Sequence, residues 1–263
     1  MRAPAIPFVK VSACGNDFLL VEGSWMPADM AAATRRMCDR HDGVGADGVE
    51  WMYPAVDVDV EIRLINADGS EAEISGNGTR CVAMLVCMER GKERIAIRTG
   101  AGVKTCILIG RNEQEYEFEM EMGRAEVGGE LMVQAGLGPV KGIPVSMGNP
   151  HFVWFVDEVG EDWVQRAKAI QHDAKFKHGV NVELVSIDDN HNIHALFCER
   201  GAGETRSSGT GSCAAASAAI ATGRAESPVK VHAPGGTQTV RIDDGKIHLR
   251  GAARLVCRGE FYL

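Results

Sequence analysis

The chain repeats itself once, at a fixed distance. Asn16, in Gly15-Asn16-Asp17-Phe18, and Asn149, in Gly148-Asn149-Pro150-His151-Phe152, stand 133 positions apart. Gly48-Val49-Glu50 and Asn181-Val182-Glu183 share that offset, as do Asn66 and Glu199, each just ahead of a Gly-containing loop. So do Ser75-Gly76-Asn77-Gly78 and Ser208-Gly209-Thr210-Gly211. Each match is weak alone; the common gapless offset gives the set its weight. A repeat unit of half the chain is too long for a solenoid and suits two homologous domains related by a pseudo-twofold axis. The boundary is expected at 121–123, after a strand-like stretch in which Tyr116 and Phe118 alternate with charged residues. The domains expected are therefore 1–121 and 122–252, with a strand over 253–263 returning to the first.

Two segments read as helices surrounded by protein. After Ser75-Gly76-Asn77-Gly78, residues 81–88 are apolar on every side, and a helix without a polar face must be buried all round. After Ser208-Gly209-Thr210-Gly211, residues 212–222 are mostly alanine, which favours helix and close packing, and Gly223 suits the position just past the helix end. Short alternating or β-branched runs at 56–62, 95–99, 104–109, 237–242 and 246–249 read as strands. The fold class expected is α+β, with two pseudo-symmetric domains, each a curved, mostly antiparallel sheet or barrel around one central buried helix.

Composition narrows the function. The 263 residues carry 28 Lys and Arg against 36 Asp and Glu, a net charge of −8, so no broad basic face is expected for nucleic acid or anionic lipid. No apolar stretch approaches the ~20 residues that span a bilayer, and the first residues carry no signal-peptide core, so a cytoplasmic protein is expected. The eight cysteines form no Cys-x-x-Cys pair; reduced thiols acting as small hydrophobes are expected, and no motif implies a metal or an organic cofactor.

The glycines opening each buried helix have a chemical use. Unbonded amides at a helix N-terminus, together with the positive end of its dipole, bind anions, and glycine lets that backbone come close. The plainer reading makes Ser75 and Ser208 ordinary N-caps. If the pseudo-twofold brings the two helix starts together, both can grip one carboxylate. The group heading each motif then stands on each side of the bound molecule. Two acid–base groups on opposite sides of one carbon can remove a proton from one face and return one to the other, which inverts a stereocentre.

At this point the residues resemble a known family. Asn66-Ala-Asp-Gly69-Ser-Glu71-Ala-Glu73-Ile-Ser-Gly76-Asn-Gly78-Thr-Arg80-Cys81 is similar to the first signature of diaminopimelate epimerases. Glu199-Arg200-Gly201-Ala-Gly203-Glu204-Thr205, followed by Ser208-Gly-Thr-Gly, is similar to the second. Gly15-Asn16-Asp17-Phe18, the run from Asp39 to Gly48, and Gly148-Asn149-Pro150-His151 complete the set in order. The resemblance covers essentially the whole chain. It implies a cofactor-independent, and so PLP-independent, isomerase that interconverts LL- and meso-diaminopimelate in lysine and cell-wall synthesis, working as a homodimer on a small amino-acid substrate.

Carried over by position, the resemblance implies catalytic groups at Ser75 and Ser208, with His151 beside the first and Glu199 beside the second. It implies substrate contacts from Asn16, Asn66, Asn149, Asn181, Glu199 and Arg200 at the distal amino-acid end, and from the backbone of Gly76, Asn77, Gly209 and Thr210 at the reacting carboxylate. Gly48 stands where some members have a longer side chain. The departure is central: the family has cysteines at positions 75 and 208, and this chain has serines. A helix dipole worth at most ~2 kcal/mol lowers a pKa by only about 1.5 units, which does not bring a hydroxyl to neutrality. A serine needs a neighbouring base. Cys14, whose repeat partner is Met147, reads as pocket lining and not as a substitute base. Two alternatives stay open: a catalytically silent amino-acid-binding homologue, engineered or diverged, and a racemase for another amino acid.

Overall fold

A computed structural model describes residues 5–263. It separates into two compact units: the described residues up to Met120 together with Gly251–Leu263, and Glu121–Arg250.

The first unit runs β1 (Ala5–Ala13), β2 (Asn16–Glu22), α1 (Met30–Cys38), β3 (Gly48–Tyr53), β4 (Val60–Asn66), β5 (Glu71–Ala72), α2 (Gly76–Arg90), β6 (Arg94–Thr99), β7 (Gly102–Arg111) and β8 (Glu115–Gly123). The second runs β9 (Glu126–Val127), β10 (Leu131–Gln134), β11 (Pro139–Ser146), β12 (Pro150–Phe155), α3 (Trp163–Gln171), β13 (Asn181–Asp189), β14 (Asn192–Glu199), β15 (Gly203–Thr205), α4 (Gly209–Ala221), β16 (Val229–Ala233), β17 (Gly236–Asp243) and β18 (Lys246–Tyr262). The later part of β18 belongs to the first unit, where it pairs antiparallel with β1, Phe8 opposite Gly259.

The two units share their internal plan. β2 lies parallel to β3 with Phe18 opposite Gly48, and β12 lies parallel to β13 with His151 opposite Asn181. β3 is antiparallel to β4 with Val49 opposite Ile65, and β13 to β14 with Val182 opposite Cys198. β4 and β14 then turn back onto β5 and β15 and pair in parallel with β6 and β16. β1–β2, β6–β7, β7–β8, β11–β12, β16–β17 and β17–β18 are antiparallel hairpins.

Each sheet is covered on both faces. α2 is buried from Asn77 to Cys87, and α4 from Gly211 to Ala219. Each Val, Leu or Met side chain so buried is worth ~1.5–3 kcal/mol, enough to hold a helix with little amphipathic character of its own. The alanines of α4 offer only Cβ atoms, so Val153, Val185, Phe197, Val240 and Leu249 of the surrounding strands fill the core against it. On the opposite faces lie α1, against Leu19, Val49, Trp51 and Ile65, and α3, against Val182, Leu184 and Phe152. Strand alternation therefore has one consequence in both units: Val49 and Trp51 point to α1 while Glu50 points to α2, and Val182 and Leu184 point to α3 while Glu183 points to α4.

The two central helices and the sheet wrapped around each agree with the α+β reading. The outer helices α1 and α3 are additions to it. One strand starts later than expected: chain 56–59 is a bend, and β4 begins at Val60. Asp59 is used there as a connector, accepting from the Ala96 amide at 2.8 Å and pairing with Lys92, while its carbonyl accepts from Arg90. All eight cysteines are free. Among the described residues no helix is long and apolar enough to cross a membrane.

Candidate active site

Both helix openings are capped as their sequences predict. Ser75 Oγ accepts from the Gly78 amide at 3.1 Å, and Ser208 Oγ from the Gly211 amide at 3.1 Å. The first main-chain bonds of the two helices run from Thr79 to Ser75 and from Ser212 to Ser208. The amides at 76, 77, 209 and 210 precede those bonds, at the positive end of the dipole. Gly76 faces open space.

In the first unit, Asn77 Nδ2 donates to Asn16 Oδ1 at 2.7 Å, and Asn16 Nδ2 donates to Asp47 Oδ2 at 2.9 Å. Asn77 Oδ1 accepts from the buried Arg80 guanidinium, which also approaches Cys14 Sγ at 3.8 Å. Asp47 is held in turn. Arg40 bridges Asp17 and Asp47, each at 2.8 Å, and Lys10 pairs with Asp17 at 3.1 Å. Burial pushes the Asp17 carboxyl up, but Arg40 and Lys10 outweigh it and hold it below the usual carboxylate range. Asn66 lies apart in its own turn, donating to Ser70 Oγ at 3.1 Å. A side chain at Gly48 would meet the Ile65 carbonyl oxygen at 2.8 Å, so this backbone excludes the longer residue some relatives are expected to have.

In the second unit, Asn149 Nδ2 reaches Thr210 Oγ1 at 3.5 Å, the same pair of repeat positions that joins Asn16 to Asn77. His151 is buried, with Nε2 at 3.0 Å from Asn149 Oδ1 and Nδ1 at 2.6 Å from Glu183 Oε1. Burial raises the Glu183 carboxyl, against the pull of His151. Glu199 sits beside the second serine: Ser208 Oγ donates to Glu199 Oε2 at 3.3 Å, and Thr205 Oγ1 donates to Oε1 at 2.7 Å. Asn181 is buried and used internally, accepting from the Arg200 amide at 2.9 Å and donating to the Pro150 carbonyl at 3.2 Å. The Arg200 guanidinium donates to the His178 carbonyl at 2.7 Å. A cleft of about 440 Å³ is lined by Val127, Ser146, Gly148, Asn149, His151 and Phe176, a volume suited to a small ligand.

Two buried carboxyls escaped the sequence reading as site groups, Glu183 and Glu50. Both stand in the repeat at one offset, both point at the central helix, and both press against its third residue. A Cβ at Gly211 would lie 2.9 Å from Glu183 Oε1, and one at Gly78 only 2.1 Å from Glu50 Oε1. Gly78→Ala therefore requires the fully buried Glu50 side chain to shift. Overpacking of this kind typically costs about 1–3 kcal/mol. Urea denaturation should show that loss, and shortening Glu50 to Ala in the same chain should reverse it, because alanine is otherwise the better helix residue. A stable G78A with Glu50 intact would refute the close contact. Among the described residues, no group of three or more His, Cys, Asp or Glu side chains converges as metal ligands do.

Two barrel-like units, each presenting a serine-capped helix opening ringed by Asn, Thr and carboxylate side chains, define an isomerase of the two-domain epimerase class. The solved structure of a probable proline racemase from Agrobacterium radiobacter shares this fold, with a TM-score of 0.72 over 97% of this chain and 92% of its own, at 16% identity. A sequence model of the diaminopimelate epimerases matches residues 8–127 and 143–256. The diaminopimelate epimerase of Moorella thermoacetica is 36% identical over 97% of this chain and 99% of its own length, and that of Acidiphilium cryptum 36% over 98% and 97%. The chain belongs to the diaminopimelate epimerase family.

Proposed function

We propose that this enzyme inverts an α-carbon of diaminopimelate, interconverting the LL and meso forms by two-base proton transfer. The observation that carries the reading is the repeated construction of the helix openings. In each unit a serine caps the helix at 3.1 Å and a polar pair at matched positions, Asn16 with Asn77 and Asn149 with Thr210, stands at its mouth. Such an opening suits a carboxylate, and donors placed there stabilise the charge that develops when the α-proton leaves.

In this reading the α-proton passes to one serine oxygen, and the other side returns a proton to the opposite face. Glu199 is the base for Ser208, a role supported by the hydrogen bond that the Ser208 hydroxyl donates to it. Glu199 takes that proton as Ser208 Oγ takes the proton from carbon, and Thr205 fixes the carboxylate's orientation. His151, whose ring is set by Glu183 and Asn149, serves the other face. Asn66, Asn181 and Arg200 belong to the distal end of the substrate, and the proposal extends to a cytoplasmic homodimer in lysine biosynthesis.

Incubation with LL- or meso-diaminopimelate in D₂O should place deuterium at the α-carbon of the opposite stereoisomer. Glu199→Gln should lower that exchange by about 10²-fold or more, the usual contribution of a positioned base, with little change in KM. A second reading, an amino-acid-binding homologue without turnover, is favoured by the engagement of both serine oxygens as helix caps. Saturable binding without any deuterium incorporation would decide for it.

A further inference from the structure

The side chains at the mouth of α2 form one run of hydrogen bonds with a formal charge at each end. The buried Arg80 guanidinium donates to Asn77 Oδ1, Asn77 Nδ2 donates to Asn16 Oδ1 at 2.7 Å, and Asn16 Nδ2 donates to Asp47 Oδ2 at 2.9 Å. The oxygen and nitrogen of an asparagine amide are nearly alike in shape, so the partners decide which way it points. A guanidinium has only donors, and an ionised carboxylate only acceptors. Asn77 must therefore turn its oxygen to Arg80 and its nitrogen to Asn16. Asn16 must turn its oxygen to Asn77 and its nitrogen to Asp47. Reversing Asn16 would set oxygen against carboxylate and nitrogen against nitrogen at once.

Asp47 is itself held at both oxygens. Oδ1 pairs with Arg40 at 2.8 Å, while Oδ2 accepts from the Asp17 amide at 3.1 Å as well as from Asn16. Arg40 is fixed in turn by Asp17, at 2.8 and 3.2 Å, and Asp17 by Lys10. This apparatus has no copy in the second unit. There the repeat counterpart of Asp47 is the apolar Val180, and that of Arg40 is Asp173, which is spent on the Gln134 and Lys175 amides. Asn149, the counterpart of Asn16, meets His151 Nε2 at 3.0 Å instead. The shared fold thus does not require a carboxylate at position 47.

The consequence is chemical. Asn16 is half-buried, and among the described residues its second N–H has no partner. It stands against Asn77, the second residue of α2, at the positive end of the helix dipole. The lock holds a donor where an anion is favoured.

We propose that Asp47 is a positioning residue for substrate binding: through Asn16 it fixes an N–H donor at the first helix opening for a carboxylate oxygen of the bound amino acid. The role rests on the reading of that opening as a carboxylate site, given above.

Calorimetric titration with meso-diaminopimelate reads the effect without turnover. Asp47→Ala releases the Asn16 amide, and Kd should rise about tenfold, the worth of one oriented hydrogen bond. In deuterium exchange KM should rise with it while kcat stays near the native value, because Asp47 touches no reacting atom. A lower melting midpoint in D47A with native Kd and KM would make Asp47 merely structural and overturn the proposal. The exchanged pair, Asn16→Asp with Asp47→Asn, guards against misfolding. It keeps an amide-to-carboxylate bond between the two positions and an acceptor for Arg40, but puts a carboxylate where the donor stood. Its melting midpoint should stay near the native one while Kd rises about tenfold or more. Native affinity in the exchanged pair overturns the role. A native chain that does not bind diaminopimelate at all defeats the carboxylate reading instead, and the lock is then decided without ligand. In protein carrying isotope-labelled asparagine, the side-chain N–H signals that vanish in Asn16→Asp identify Asn16. These protons should exchange with D₂O about tenfold faster in D47A than in the native chain. An unchanged rate overturns the positioning.

Discussion

Replacing Ser75 and Ser208 together with cysteine is expected to raise α-proton exchange on diaminopimelate by at least about 10²-fold, the scale on which a well-matched acid–base group acts. The two helix openings already supply what a thiolate needs. A thiol starts near pKa 8.5, and an N-terminal dipole draws it toward neutrality, whereas a hydroxyl starts far too high for the same field to matter. The cap geometry at both positions is kept, since sulfur can stand where Oγ accepts from Gly78 and Gly211. Single replacements should gain much less, because stereoinversion is limited by the weaker of two bases. The measurement is deuterium incorporation followed by stereoisomer analysis. A double variant no faster than its parent would mean that the pocket, and not only the bases, has diverged.

The second large effect concerns stability. His151→Phe places in the second unit the residue that the first unit has at the matched position, Phe18, and it removes the partner of Glu183 with little change in volume. Both side chains of the pair are sealed from solvent, and Glu183 Oε2 has no hydrogen-bond partner among the described residues. Breaking one side of such a pair costs about 3–5 kcal/mol. The pH dependence has a definite sign. A carboxyl whose folded pKa lies above its unfolded value binds a proton more tightly in the fold, so stability falls as pH rises from the unfolded pKa toward the folded one. The penalty in H151F should therefore grow as pH rises above the ordinary carboxylate range and shrink as pH falls back toward it. Adding Glu183→Leu should recover most of it. Urea denaturation of the three chains across that pH range checks the claim; an equal loss at every pH would rule out the carboxyl as its source.

Much of this was legible because two kinds of signal point the same way. The central helices carry Ser-Gly starts, interiors apolar all round and a glycine in left-handed conformation past the end, Gly91 at φ 66° and Gly223 at φ 68°. The fixed offset linked Asn16 to Asn149, Gly48-Val49-Glu50 to Asn181-Val182-Glu183 and Ser75 to Ser208, but left His151 opposite Phe18 and Arg200 opposite Ala67. Two features were hidden. The outer helix α1 is nine residues long with Thr34, Arg35 and Arg36 in its middle, too short to show a period against its surroundings. Glu50, between Val49 and Trp51, has the pattern of a strand with one wet face. It is dry only because a second helix covers that face, and covering from another part of the chain leaves no mark in a local window. Its recurrence as Glu183 was the available clue.

The pairing of β1 with the closing stretch of β18 bears on the order of events during translation. Residues 255–262 line up along Ala5–Val11, so one edge of β1 stays open until β18 has been synthesised. Until then the nascent first half carries an exposed strand edge, an open template for aggregation. Ribosome-bound chains stalled near position 240 should accordingly engage holding chaperones, and emergence of residues 255–262 should be the step that lets the first unit finish folding.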